Sequence, residues 1–403
     1  MDIITVYEPE YVRRFQCNGG GCLCTCCIGK AIPLDKTSTR SYLKSQDLTI
    51  RGIAQKSIQV KKIDEDNWGT IALNQDNYCP FFDKSRACTY CRIGDRDDLH
   101  TRPPFCLDYP YVNVRWQHEV RKSLAIECPE ACGQILMSQT SIWTESQHQL
   151  SGQSQSPLND TCQVVNAASI AFVLRPEMTP AERLFAIGQL VLSIPIESYD
   201  DGKNAARLKE KLDEQSALLS IENIQHKMNT LPHDQAIRWQ VFAEMGAQVA
   251  RLANSETTPS MASFWEEIYQ DIIHQTPESG ALKMAMLEES WQNNVLPIFK
   301  EYPHVITNYL FYRLYHDAFP YHPHMSSHEC YYQLIADCFI IRSLMAYWAL
   351  THSRTKKARM IDIVNIYHRW RRQYTNAYQR SANTLISLGL YHPERIYKLL
   401  NHW

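Results

Sequence analysis

The chain has 403 residues, 44% of them hydrophobic and 21% charged, a composition that excludes wholesale disorder. Its formal net charge of -2 excludes a global field suited to nucleic acid or an anionic membrane surface. The length suggests about two or three domains.

The first residues, Met1 to Thr5 followed by Glu8, Glu10, Arg13 and Arg14, lack the basic-then-apolar order of a secretory leader. Residues 1–137 are expected to form a cysteine-rich domain. Gly19-Gly20-Gly21, Pro80, Pro103-Pro104 and Pro110 break regular structure there. A short helix is expected at 38–45 and short strands at 58–60 and 70–73. Little other regular structure is expected, because bound metal can replace a hydrophobic core. Residues 138–162 are polar and read as a linker or long loop.

Residues 163–403 are expected to form a helical domain. Thr179-Pro180-Ala181-Glu182 is a capping box that starts a helix running to about Ser193, before Pro195. Further helices are expected at 204–222, 233–253, 261–274, 280–296, 304–319, 327–353, 357–380 and 395–402, from apolar residues recurring at three and four. The longest apolar run, 338–350, carries Arg342 and falls short of the roughly 18–20 residues of a membrane span. The expected fold class is mostly α: a cysteine-rich, loop-rich metal-binding N-terminal region with a few short strands, then an all-helical C-terminal domain. A soluble cytoplasmic chain, with no nucleic acid and no membrane among its partners, is the expectation.

Eleven of the fourteen cysteines lie between Cys17 and Cys132. In a reducing compartment such density points to metal or redox work rather than disulfides. Cys17, Cys22, Cys26 and Cys27 fall close together, with Cys24 between them and three glycines that let the backbone turn sharply. Cys79, Cys88, Cys91, Cys106, Cys128 and Cys132 follow. Soft thiolates suit an iron–sulfur cluster or a tetrahedral zinc, and spacing alone leaves both open. Cys24, Cys132 and Cys338 read as small buried residues.

Several motifs occur in matching order. Phe15-Gln16-Cys17-Asn18-Gly19 leads through Cys22 to Cys26-Cys27-Ile28-Gly29. Cys79-Pro80-Phe81-Phe82-Asp83 precedes Cys88, and Cys106-Leu107-Asp108-Tyr109-Pro110 follows. Ser123-Leu124-Ala125-Ile126-Glu127-Cys128-Pro129-Glu130-Ala131, Asn308-Tyr309-Leu310-Phe311 and Phe319-Pro320-Tyr321 complete the series. Together they resemble the flagellin lysine-N-methylase (FliB-type) family from about Phe15 to Tyr321. Lys30, Tyr111 and the additional Cys24 and Cys91 depart from its pattern.

The resemblance implies a protein-lysine N-methyltransferase with flagellin as substrate, S-adenosylmethionine as donor and a [4Fe-4S] cluster. The expected metal ligands are Cys17, Cys22, Cys26, Cys27, Cys79, Cys88, Cys106 and Cys128. No glycine-rich strand–turn–helix of the Rossmann kind is evident, nor is the C-x-x-x-C-x-x-C spacing of common radical enzymes. A lysine amine, with an unperturbed pKa of about 10.4, must lose a proton before direct methyl transfer. Tyr109 and Glu130, each near an expected ligand, are the candidate bases. Set against that role, Tyr109 reads as a packed turn residue and Glu130 as a first-turn helix carboxylate. Asn308 and Tyr309 are the candidate substrate contacts. His322, His324 and His328 read as solvated loop residues. The competing reading is a non-enzymatic binding module built on zinc or a cluster.

Overall fold

The computed structural model describes residues 2–18, 26–27, 31–75, 78–83, 90–93, 102–116, 118–151, 160–196, 205–256, 259–352, 357–373 and 377–400. The strands are β1 (Asp2–Pro9), β2 (Ile32–Leu34), β3 (Ile58–Val60), β4 (Gly69–Ile71), β5 (Phe82–Asp83), β6 (Tyr90–Cys91), β7 (Tyr111–Arg115), β8 (Glu119–Leu124) and β9 (Thr144–Ser151). Among them lie α1 (Glu10–Arg13), α2 (Lys36–Leu43), α3 (Leu48–Ser57), α4 (Pro104–Asp108) and α5 (Pro129–Met137). The rest is helical: α6 (Asp160–Val173), α7 (Pro180–Val191), α8 (Ala205–Leu218), α9 (Ile221–Asn229), α10 (Gln235–Glu256), α11 (Pro259–Ile273), α12 (Pro277–Ser290), α13 (Leu296–Glu301), α14 (His304–His316), α15 (Ser327–Thr351), α16 (Lys357–Gln373) and α17 (Ala377–Ser387). The chain is therefore mostly α, with its strands in the N-terminal part.

The N-terminal part is more regular than expected. Strand order β7-β8-β1-β9 makes one sheet, in which β1 runs parallel to β8 and antiparallel to β9 along its whole length. Ile4 and Val6 point inward from β1 while Ile3 points out, the alternation of a half-buried strand. β9 falls inside the stretch expected as a linker. Its residues, Thr-Glu-Ser-Gln-His-Gln-Leu-Ser, are almost all polar, and it is held through the backbone ladder to β1 rather than by buried side chains. α6 also begins within that stretch.

Two cores result. A small one joins Ile32, Leu34, Tyr42, Ile50, Ala54, Ile71, Cys79, Phe81 and Ile93, around the sheet β2-β4-β3. A large one joins α1, β8 and α5 to α6 and the C-terminal helices. Tyr11, Trp116, Leu124, Ala131 and Ile135 thus belong with the helical body.

The capping box forms as read: Thr179 accepts from the Glu182 amide and Glu182 accepts from the Thr179 amide. The helix expected at 280–296 is interrupted. Trp291–Val295 is a π turn, followed by α13 with Pro297 in its first turn. Proline has no N–H to give and crowds the carbonyl four residues back, so the preceding turn widens to the Leu296 N–H to Trp291 carbonyl bond. The stretches 204–222 and 357–380 each run into two helices, and 395–402 holds a 3-10 turn, Ile396–Leu400. α15 is long and apolar enough to cross a membrane by length and composition alone, but it runs through the large core, and 83% of its most apolar window is buried. Gly188 of α7 lets α15 approach closely. A Cβ there would collide with the Tyr331 hydroxyl, which donates to the Leu184 carbonyl at 2.9 Å.

Candidate active site

A cavity of about 300 Å³ opens in the large core where α14, α15 and α16 meet the Ile126–Glu127 turn. That turn is fixed on several sides. The Ile126 N–H donates to the Tyr312 hydroxyl at 3.1 Å, and the Asn365 amide donates to the Ile126 carbonyl at 2.9 Å. The Ala125 N–H donates to the Pro110 carbonyl at 2.7 Å. The clamp presents the Glu127 carboxyl to the cavity. Its Oε2 is buried and, among the described residues, has no hydrogen-bond partner; Arg372 Nη1 stands 3.5 Å away.

The wall behind is an ionic lattice. Arg313 reaches Asp317 through Nε at 2.7 Å, Asp337 through Nη2 at 2.8 Å and the Tyr309 hydroxyl through Nη1 at 3.0 Å. Arg371 approaches the same two carboxylates, at 3.2 Å from Asp337 and 3.5 Å from Asp317. The other Asp337 oxygen accepts from Gln333 and Tyr367, each at 2.6 Å. Burial alone would raise the Asp317 carboxyl, but Arg313 and Arg371 hold it well below the usual carboxylate range. These charges are affordable in a core because each meets an opposite one.

Three histidines line the same space: His316, His322 and His368. Burial pushes all three below the ordinary imidazole value. Arg371 adds to this for His322, and Arg313 with Arg371 for His368. They are therefore neutral at physiological pH. Aromatic rings of Tyr312, Phe319, Tyr321 and Tyr378 complete the lining. A carboxyl, neutral bases and aromatic faces together can hold a cationic amine and take its proton.

The cysteines gather separately, at the edge of the small core. Cys79 and Cys106 are pushed up to about 11 and about 12, first by burial and then by nearby thiols: Cys91 and Cys26 act on Cys79, and Cys26, Cys91 and Cys79 on Cys106. Cys27 packs there too, its carbonyl accepting the Cys79 N–H at 2.7 Å. The donor set is of the soft kind an iron–sulfur cluster takes. Among the described residues no three His, Cys, Asp or Glu side chains come close enough to hold a single metal ion. Cys22, Cys24 and Cys88 lie outside the described residues. Without metal, Cys79 and Cys106 stay protonated at neutral pH, so metal loading must release protons. Iodoacetamide at pH 8 is expected to modify exposed Cys17 and Cys26 well before Cys79 and Cys106, read by peptide mass mapping.

The remaining site expectations fall as follows. Cys17 is exposed, and Cys128 is buried in the large core at the start of α5. Tyr109 lies between the two regions: burial, then Glu127 and Cys128, raise its hydroxyl, Cys26 adds to this, and the Arg372 guanidinium sits 5.8 Å from its ring. Glu130 occupies the first turn of α5 and does not line the cavity. Asn308 is 1% exposed and gives its amide hydrogens to the Leu136 and Ser138 carbonyls, so it braces α14 against α5. The Tyr309 hydroxyl is buried between Arg313 and His368. His328 is not a loop residue; it sits on α15 with Nε2 2.9 Å from the Ile194 carbonyl. His322 and His324 flank Tyr378 at the cavity. Cys132 and Cys338 are core residues, as read.

Sequence reasoning missed Glu127, Arg313, His316, Asp317, Asp337, His368 and Arg371. The signal was present: Glu127 lies inside the Ser123–Ala131 motif, and Arg313 and His316 recur on the helix that carries Asn308-Tyr309-Leu310-Phe311. Cys91 was set aside as additional, yet it acts on both Cys79 and Cys106.

This is a helical body that encloses a polar, histidine-lined cavity beside a cluster of thiols. Residues 166–399 match the model of the FliB lysine N-methylase C-terminal domain, and the chain belongs to that family. It is 41% identical over 138 residues to a lysine-N-methylase of Salmonella typhimurium, covering 34% of this chain and 33% of that one. It is 40% identical over 138 residues to the flagellar biosynthetic protein FliU of Salmonella muenchen, covering 34% of this chain and 79% of that one. The alignment thus spans about a third of the length of the lysine-N-methylase. No solved structure matches the chain.

Proposed function

We propose that the chain is a cytoplasmic protein-lysine N-methyltransferase that acts on flagellin, takes its methyl group from S-adenosylmethionine and depends on a [4Fe-4S] cluster. One observation carries the reading. The motif that contains Glu127, the Phe319-Pro320-Tyr321 motif and the helical turn that follows Asn308-Tyr309-Leu310-Phe311 supply residues to one cavity, in a chain of the FliB lysine N-methylase family. The names of the relatives, a lysine-N-methylase and a flagellar biosynthetic protein, support the reaction and the substrate. The cavity residues suit a lysine side chain: Glu127 to receive the ammonium, and aromatic rings to receive its methylene stem. Three of the thiols near Cys79 and Cys106 would hold the cluster, leaving one iron that could accept the amino and carboxylate groups of the donor.

The test is co-expression with flagellin followed by intact-mass and peptide mass spectrometry. Added methyl mass on flagellin lysines is the expected result, lost when Cys79 and Cys106 are both replaced by serine. Unmodified flagellin would contradict the reading. Unmodified flagellin that still co-purifies with the chain would favour a binding module instead.

A further inference from the structure

The cavity holds three neutral histidines, and their hydrogen bonds separate them. The Tyr309 hydroxyl accepts a hydrogen from Arg313 at 3.0 Å and meets His368 Nε2 at 3.1 Å. His368 Nε2 is thus engaged by Tyr309 and is not free to meet a substrate. His322 Nδ1 accepts the His324 N–H at 3.1 Å, so the proton of neutral His322 sits on Nε2 and no basic nitrogen is left. His316 differs. Its Nδ1 meets the Ser123 hydroxyl at 2.8 Å, and Ser123 meets the Tyr11 hydroxyl at 2.9 Å. Both hydroxyls turn to accept or donate, so the chain can take the Nδ1 hydrogen. Among the described residues Nε2 of His316 makes no hydrogen bond, and the ring lines the cavity, stacked on Tyr312 with centroids 4.7 Å apart.

We propose that His316 is the catalytic base that takes the proton from the target lysine through Nε2, and that Ser123, backed by Tyr11, is a positioning residue that keeps the hydrogen of the neutral ring on Nδ1. The proposal rests on the methyltransferase reading above. An N–H bond of the lysine ammonium breaks, its electron pair stays on nitrogen, and the proton moves to His316 Nε2. The neutral amine then bonds to the methyl carbon of a sulfonium donor while the carbon–sulfur bond breaks with its electrons left on sulfur. The imidazolium returns its proton to water.

Charged and titratable groups face the ring from each packed element: Arg313 and Tyr312 on α14 with Asp317 just after it, Glu127 before α5, His368 and Arg372 on α16 and, through Ser123, Tyr11 on α1. Burial, and then Arg313 and Arg372, work against the imidazolium, while Asp317 and Glu127 favour it. The net direction is below the ordinary 6.5, so the base is free of its proton at neutral pH.

The experiment is the pH profile of methyl transfer to purified flagellin at saturating S-adenosylmethionine, with anaerobically prepared protein. The wild-type rate should rise with pH through an inflection below 6.5 and level off. His316→Asn keeps an amide near the Nδ1 position and deletes Nε2. Its rate at neutral pH should fall about 100-fold. The inflection should vanish, leaving a rate that climbs towards the lysine pKa of about 10.4. Ser123→Ala should lower the plateau and move the inflection without abolishing either. In wild-type protein, nitrogen-15 NMR of the histidine rings should place the neutral proton of His316 on Nδ1, a readout that needs no variant to fold. An unchanged profile in His316→Asn, or a proton on Nε2, overturns the role of His316 and leaves the methyltransferase reading standing. A wild-type chain that transfers no methyl group overturns both.

Discussion

Asp337→Leu is expected to lower the unfolding free energy by about 3–5 kcal/mol, because it leaves buried guanidinium groups short of a counter-charge. Asp337 is fully buried on α15 and serves four partners at once: Arg313, Arg371, Gln333 and Tyr367. Leucine keeps the branched skeleton, though it is bulkier, and can accept from none of them. Asp317 alone then faces both arginines, one of them at 3.5 Å. Asp337→Asn keeps an acceptor for Tyr367 and should cost less than the leucine variant. Urea unfolding reads the difference as a lower midpoint at unchanged slope. A leucine variant as stable as wild type would mean that the lattice contributes little to holding the cavity wall.

Glu127→Gln is expected to reduce kcat/KM for flagellin about 10- to 100-fold, mainly through KM. A hydrogen bond to a charged partner is worth about 1.5–3 kcal/mol, and glutamine keeps the shape while removing the charge. The turn that carries Glu127 is held by Tyr312, Asn365 and the Pro110 carbonyl, none of which bonds to its side chain. The fold should therefore tolerate the change, and an unaltered melting temperature is the control. Steady-state kinetics at saturating donor separates the two parameters. A fall in kcat alone would place Glu127 in the chemical step rather than in holding the ammonium.

Much of the helical part was legible in the sequence, because an amphipathic helix writes its period and its caps into local residues. Thr179-Pro180-Ala181-Glu182 is the plain case. β9 was illegible for the opposite reason: its polar residues carry no alternation, and only the backbone of β1 makes it a strand. The sheet around β1 depends on pairing residues more than a hundred positions apart, which no local window shows.

The site divided the same way. Cysteine density marked the N-terminal region, but chemical softness does not say which thiols meet, and Cys91 was discounted beside Cys79 and Cys106. The cavity was harder still. Arg313, Asp337 and Arg371 lie on three different helices; in sequence Arg313 and Asp337 are single charges in largely apolar segments, and Arg371 is one of a basic run with Arg369 and Arg372. Their meaning as one lattice exists only once α14, α15 and α16 pack. Asn308 and Tyr309 were named as substrate contacts from their motif alone. They are buried within the helix packing, while Tyr312, Arg313, His316 and Asp317, which follow them, line the cavity.

The most direct measurement fills that space. Met325 lines the cavity and is half-buried, and Met325→Trp puts an indole where the lysine side chain is placed. Methylation of purified flagellin by this variant should fall at least about tenfold while flagellin binding and the melting temperature stay near wild type. Methylation at the wild-type rate with the cavity filled would show that transfer takes place elsewhere on the protein.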